Sequence, residues 1–227
     1  MNPYFRTPPL VINLIIINVL VFMAQVFLPS AAGQWLENLF ALHFWQSSLF
    51  RPWQAVSYMF MHGSWEHLFF NMFALWMFGR ILEYDLGGRR FLIFYFVCGI
   101  GAALMQLGVN WIEVGMLNRQ IALQPALMSK LLYMIDVPTV GASGAIFGVL
   151  LAFGMLHPND RIMLLFPPIP MKAKYFVIGY GVLELAIGLA NPGDSVAHFA
   201  HIGGMLWGLL LLLYWRRQNR RTAGPRF

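Results

Sequence analysis

The chain has 227 residues, 59% of them hydrophobic and 11% charged, with a positive mean hydropathy. That composition excludes a soluble globular domain and predicts an all-α integral membrane protein, one compact unit over residues 1–227. The net charge of +6 is spread among apolar runs, so nucleic acid is not an expected partner, and the lone Cys98 excludes a disulfide framework or a cysteine metal site.

Six apolar runs follow in chain order, at about residues 10–28, 67–84, 91–109, 140–157, 171–190 and 198–215. The first is too long for a signal-peptide core and lacks a small-residue cleavage site, so it reads as a retained span. In lipid each run is best satisfied as a helix, because every backbone amide must find a partner within its own segment. Residues 29–66 are rich in Trp and Phe without a continuous span, which predicts a structure seated at the headgroups. Residues 110–139 hold a short apolar stretch, 123–137, interrupted by Lys130 and Asp136, and predict an interfacial helix rather than a seventh span.

Six spans with the N-terminus in the cytoplasm place Arg6, Arg80, Arg89, Arg90, Arg161, Lys172, Lys174, Arg216, Arg217, Arg220, Arg221 and Arg226 inside. Only Arg51, Arg119 and Lys130 then face outside. This strong bias predicts both termini on the cytoplasmic side.

Helical rise places the chemistry. Counting from the cytoplasmic ends, Ser143, His201 and His67 all lie about 20 Å up their spans and Asn71 about 13 Å, within a hydrocarbon layer about 30 Å thick. The fourth span can begin only near Gly141, so its N-terminus falls inside the bilayer and must face protein or a water-filled cavity. Such an end favours an oxyanion beside Ser143. Gly144 and Gly148 form one G-x-x-x-G pair and Gly204 and Gly208 another, which lets the fourth and sixth helices pack closely. Close packing would bring the Ser143 hydroxyl to the His201 imidazole, the minimum pair for nucleophilic catalysis, with Phe147 one turn on to pack against the ring. Each feature has a plainer reading: glycine pairs as packing, Ser143 as a backbone hydrogen-bonder, His67 and Asn71 as helix ties.

Three segments carry a resemblance. W-Q-A-V-S-Y-M-F-M-H-G-S-W-E-H-L-F-F-N (53–71), G-A-S-G-A-I-F-G (141–148) and A-H-I-G-G-M-L-W-G (200–208) stand in the order of the motifs of the rhomboid family of intramembrane serine proteases. The chain resembles that family from residue 10 to residue 215. The resemblance implies a six-helix rhomboid-like bundle with a membrane-seated first loop. It implies Ser143 as nucleophile and His201 as base, with His67, Asn71 and the Ser143 N–H binding the oxyanion. Phe147, Gly141, Gly144, Gly204 and Gly208 would support them. It also implies a dyad without an acid, no cofactor and no metal. Other transmembrane proteins would be the substrates, and span five with the loop after it the gate. The expected location is a bacterial cytoplasmic membrane; oligomeric state, natural substrates and source are not legible.

Four positions depart from the family pattern. Gln54 replaces an arginine common after the loop tryptophan, a change expected to alter only a loop contact, and the 110–139 connection is long. His198 adds a histidine one turn before His201, expected to be exposed or structural. Glu184 lies inside span five and predicts a hydrogen-bonded role first and substrate gating second. No acid clearly at catalytic depth orients His201. Glu83 reads as a tie to the connection that follows it. Other functions stay in play: a non-catalytic rhomboid-like protein that binds membrane clients, a metal site on His62, His67, His198 and His201, and a polytopic transporter.

Overall fold

A computed structural model describes residues 7–121, 123–163, 169–190 and 197–222. Arg6, Arg226, the side chains of Arg220 and Arg221, and the 191–196 loop of the expected gate lie outside the described residues. The chain is almost wholly helical: α1 Pro9–Phe27, α2 Ser30–Phe40, α3 Gln54–Ser57, α4 Trp65–Ala74, α5 Arg80–Leu86, α6 Gly88–Ile121, α7 Met128–Asp136, α8 Ser143–Leu156, α9 Ala173–Ala190 and α10 His198–Thr222. A small antiparallel pair, β1 Arg161–Met163 and β2 Pro170–Lys172, joins α8 to α9 with Ile162 opposite Met171.

Among the described residues four helices, α1, α6, α9 and α10, are long and apolar enough to cross a membrane by themselves. The expected second span is helical across residues 65–86, but a π-helical turn, Leu75–Gly79, divides it into α4 and α5. The expected fourth span, α8, has only 14 residues, about 21 Å of rise. The third helix exceeds expectation: α6 continues past Val109 to Ile121, because the polar residues after 109 mark the end of an apolar environment and not of a helix.

α8 sits at the centre. Ten of its residues are buried, with apolar side chains all round, as for a helix enclosed by protein. It packs against α6 and α10, which also pack on each other. The glycines set the approach: a Cβ on Gly204 would overlap the Gly144 carbonyl oxygen, and one on Gly208 would stand 3.4 Å from the Gly148 Cα. Backbone meets backbone along this seam, as small-xxx-small pairs permit.

Polar ties fix the two ends. Glu83 departs from expectation: its carboxylate accepts from Leu10 N (3.1 Å) and Val11 N (2.8 Å), so it caps α1 from α5. An acid there satisfies orphan amides and complements the helix dipole. Asp85 meets His157 Nε2 at 2.6 Å at the end of α8. The Arg90 guanidinium lies 5.6 Å from the Trp215 ring, placing the start of α6 beside the end region of α10.

At the opposite end the two long connections dock on each other. Leu42 and Thr139 exchange backbone hydrogen bonds at 3.0 and 2.8 Å, and the Ser47 hydroxyl donates to Asp136 at 2.8 Å. Gln54 is the hub of the first connection and makes far more than one loop contact. It is fully buried; Oε1 accepts from His43 N (3.2 Å) and Arg51 N (3.1 Å), and Nε2 donates to Asn38 O (3.1 Å) and Leu49 O (3.0 Å). A neutral amide serves because the groups it must satisfy include both backbone donors and acceptors.

Candidate active site

Ser143 opens α8 as its first residue, after Ala142, which supplies no side-chain cap. First-turn amides have no partners within their own helix, so this end offers N–H donors beside the hydroxyl. The preceding Gly141 has φ +124°, a conformation side chains rarely adopt, and a Cβ there would stand 2.7 Å from the His67 Cε1 and Nε2 atoms. Only glycine permits both the turn into α8 and the approach to His67. Its N–H donates to Tyr58 O at 2.9 Å, fixing the turn to the first connection.

α10 brings His201 across the glycine seam. Its Nε2 lies 2.8 Å from the Ser143 Oγ, and its ring stacks on Phe147 with centroids 4.2 Å apart and planes 7° from parallel. His201 Nδ1 lies 2.7 Å from Glu184 Oε2 on α9, and His198 Nδ1 lies 2.7 Å from the same oxygen. An ionised carboxylate can only accept, so both Nδ1 atoms carry protons in this arrangement. His201 Nε2 is then the lone-pair nitrogen and takes a hydrogen bond from the Ser143 hydroxyl.

This departs from the expectation that no acid orients His201. Glu184 is buried in the space between α9 and α10, and His198 is buried and bonded to it, not exposed. The pairing was hidden because Glu184 lies fourteen residues from His198 and seventeen from His201, on another helix. The available signal was a single acid in an apolar run beside two histidines at helical spacing. Tyr180, one turn before Glu184, was also missed; its ring centroid stands 4.8 Å from that of Phe147.

α4 forms the facing wall. Ser64 caps it, its hydroxyl accepting from His67 N at 3.1 Å. Asn71 donates one amide proton to His67 O at 2.9 Å, and an amide group carries two. Gly63 N–H donates to His67 Nδ1 at 3.4 Å, which leaves the imidazole proton on Nε2, the nitrogen turned toward Gly141. His62 is fully buried just before α4, edge-on to His67 with centroids 5.0 Å apart; burial, with His67 nearby, pushes its pKa down to about 3.

Ser143, His201, His67, Asn71, Phe147 and Tyr180 all line one cavity of about 490 Å³ between α4, α8 and α9. A hydroxyl with a base, facing side chains able to donate and a helix N-terminus, is equipped to attack a carbonyl and hold the resulting oxyanion. The four histidines of the metal reading do not gather. Among the described residues the only set of three potential ligands with atoms within 4.8 Å of one another is Glu184, His198 and His201, and those atoms are satisfied as hydrogen bonds.

The Rhomboid domain profile matches residues 49–218, three quarters of the chain. The chain belongs to the rhomboid family. It is 33% identical over 175 residues to rhomboid protein 1, mitochondrial, of Saccharomyces cerevisiae, covering 74% of this chain and 45% of that protein. It is 29% identical over 213 residues to the rhomboid protease AarA of Providencia stuartii, covering 89% and 70%. Against the rhomboid protease GluP of Bacillus subtilis identity is 26% over 156 residues, covering 69% and 24%. The chain thus spans less than half of the yeast relative. With its apolar helices and its family, this rhomboid is a multi-pass membrane protein.

Proposed function

We propose that this rhomboid is an intramembrane serine endopeptidase that cuts transmembrane segments of other proteins. The observation that carries the reading is the 2.8 Å contact between Ser143 Oγ and His201 Nε2 inside the α4–α8–α9 cavity. His201 Nε2 takes the hydroxyl proton as Oγ attacks the scissile carbonyl carbon. The C=O π pair moves to oxygen, where the Ser143 N–H, His67 Nε2–H and the second Asn71 amide proton receive it. Collapse expels the amine, which leaves with the proton from His201, and an ester remains on Ser143. Water admitted by the cavity then attacks the ester, with His201 again as base.

Six spans fit this reading: α1, α4 with α5, α6, α8, α9 and α10, all within one unit over 1–227. The shortness of α8 is then functional, since its N-terminus opens into the cavity and not into lipid. The shared end of Asp85, His157, Arg90 and Trp215 would be cytoplasmic, with both termini there, and the cavity would open on the far side of a bacterial cytoplasmic membrane.

The test is a fluorophosphonate probe on detergent-purified protein in the presence of a strong chelator. A covalent adduct on Ser143, absent from Ser143→Ala, is expected. Activity on a transmembrane peptide that is lost with chelator, with no adduct on Ser143, would overturn the serine reading in favour of the histidine cluster.

A further inference from the structure

Glu184 needs an account beyond that of a buried charge. α9 buries few side chains, Ala173, Val177, Glu184 and Gly188, so it lies at the edge of the bundle. Yet its one buried acid is spent on two imidazoles of α10, both 2.7 Å from the same oxygen. One turn on, a Cβ at Gly188 would stand 3.1 Å from the His198 Cβ, so α9 and α10 are close where the acid reaches across. On the far side of the His201 ring, Nε2 meets the nucleophile at 2.8 Å.

An isolated imidazole has two tautomers, and only the one with its proton on Nδ1 can accept from the Ser143 hydroxyl. Phe147 stacks on the ring face and fixes its plane, but a stacked ring gives no preference for either nitrogen. That preference must come from a group at Nδ1. We propose that Glu184 is a positioning residue for His201, holding the proton on Nδ1 and stabilising the imidazolium formed when Ser143 attacks. The site is then a Ser143–His201–Glu184 relay whose acid comes from α9, with His198 as the second donor that aims the carboxylate. The proposal rests on the serine-peptidase reading.

The competing account is a structural tie, in which two N–H donors merely compensate a carboxylate at membrane depth. The accounts separate in the pH profile. Among the described residues, the groups around His201 are Glu184 and Tyr180 on α9, His198 on α10, Ser143 on α8, and His67 and Glu66 on α4. Of these only Glu184 accepts the Nδ1 proton. Glu184→Gln keeps the shape of the side chain and removes the charge that accepts at Nδ1. The acid limb of the rate should therefore move. The plateau should fall about 10²-fold, since an amide can also donate to Nδ1 and hold the wrong tautomer.

The rate of Ser143 labelling by a fluorophosphonate is measured from pH 4 to 9 for the wild type, Glu184→Gln, Glu184→Asp and His198→Ala. The limb position does not depend on how much variant is folded, so partial misfolding leaves the test intact. We expect the shifted limb and slowed plateau in Glu184→Gln, and recovery to within about tenfold of wild type in Glu184→Asp, which restores the charge. His198→Ala should lose less than about tenfold, because Glu184 still meets His201. A wild type that labels normally beside a Glu184→Gln with an unmoved limb and an equal plateau overturns the positioning role alone. A wild type that takes up no probe on Ser143 overturns the peptidase reading and the positioning role with it.

Discussion

Asn71 and His67 differ from Ser143 in what their loss should do. Each is one donor among three in the proposed oxyanion site, so Asn71→Ala should lower kcat about 10²–10³-fold and leave measurable residual turnover. Steady-state kinetics on a transmembrane peptide checks this, and unchanged kcat in both Asn71→Ala and His67→Ala would reduce them to helix ties. His62 predicts a pH effect on stability. With its folded pKa held near 3 by burial, it stays neutral while the unfolded chain protonates below about pH 6.5. Stability is therefore full above that pH and is lost as pH falls from 6.5 toward 3, by about 2 kcal/mol at pH 5. Thermal unfolding of His62→Leu should show a smaller drop between pH 7 and pH 5 than wild type; an equal drop would mean that other groups carry the acid sensitivity. These residues were legible in unequal measure. Ser143 and His201 stand in short glycine-flanked motifs, whereas nothing local in the sequence ties Glu184 to His201, because their contact exists only once α9 lies on α10.

Between elements, the decisive contact is the α8–α10 seam. Gly204→Val would drive Cβ into the Gly144 carbonyl, a backbone atom that cannot rotate away. Separating the helices should cost about 1–3 kcal/mol or more and remove cleavage by parting Ser143 from His201. Gly108→Ala on α6, where a Cβ meets nothing within 4 Å, should keep activity and gain a little stability. Melting temperature and cleavage rate measured together on the two variants check the pair. The seam was readable because glycine at i and i+4 marks one helix face directly. The π turn at Leu75–Gly79 was not, since no proline or paired helix breaker announces it. The full length of α6 was missed because polar residues end an apolar run without ending a helix. Gln54 was underrated because a sequence shows its identity and not its five backbone partners.

Across the whole molecule, the cavity and the polar clasps occupy opposite ends. One end is closed by Glu83 on α1 and by Asp85 on His157; the other holds the Leu42–Thr139 pairing and the start of α8. The edge helix α9 flanks a core of α6, α8 and α10, so the proposed chemistry rests on the best-packed part of the bundle while α9 borders the cavity. This architecture suits the proposed peptidase, which would admit a transmembrane segment from the side yet keep its nucleophile fixed. The most direct test is reconstitution of wild type and Ser143→Ala, each purified free of other proteases, in vesicles with a single-span substrate. The wild type should release two fragments, cut near the face toward which the cavity opens, and Ser143→Ala should release none while unfolding at nearly the wild-type temperature. Cleavage by Ser143→Ala at the wild-type rate would contradict the account.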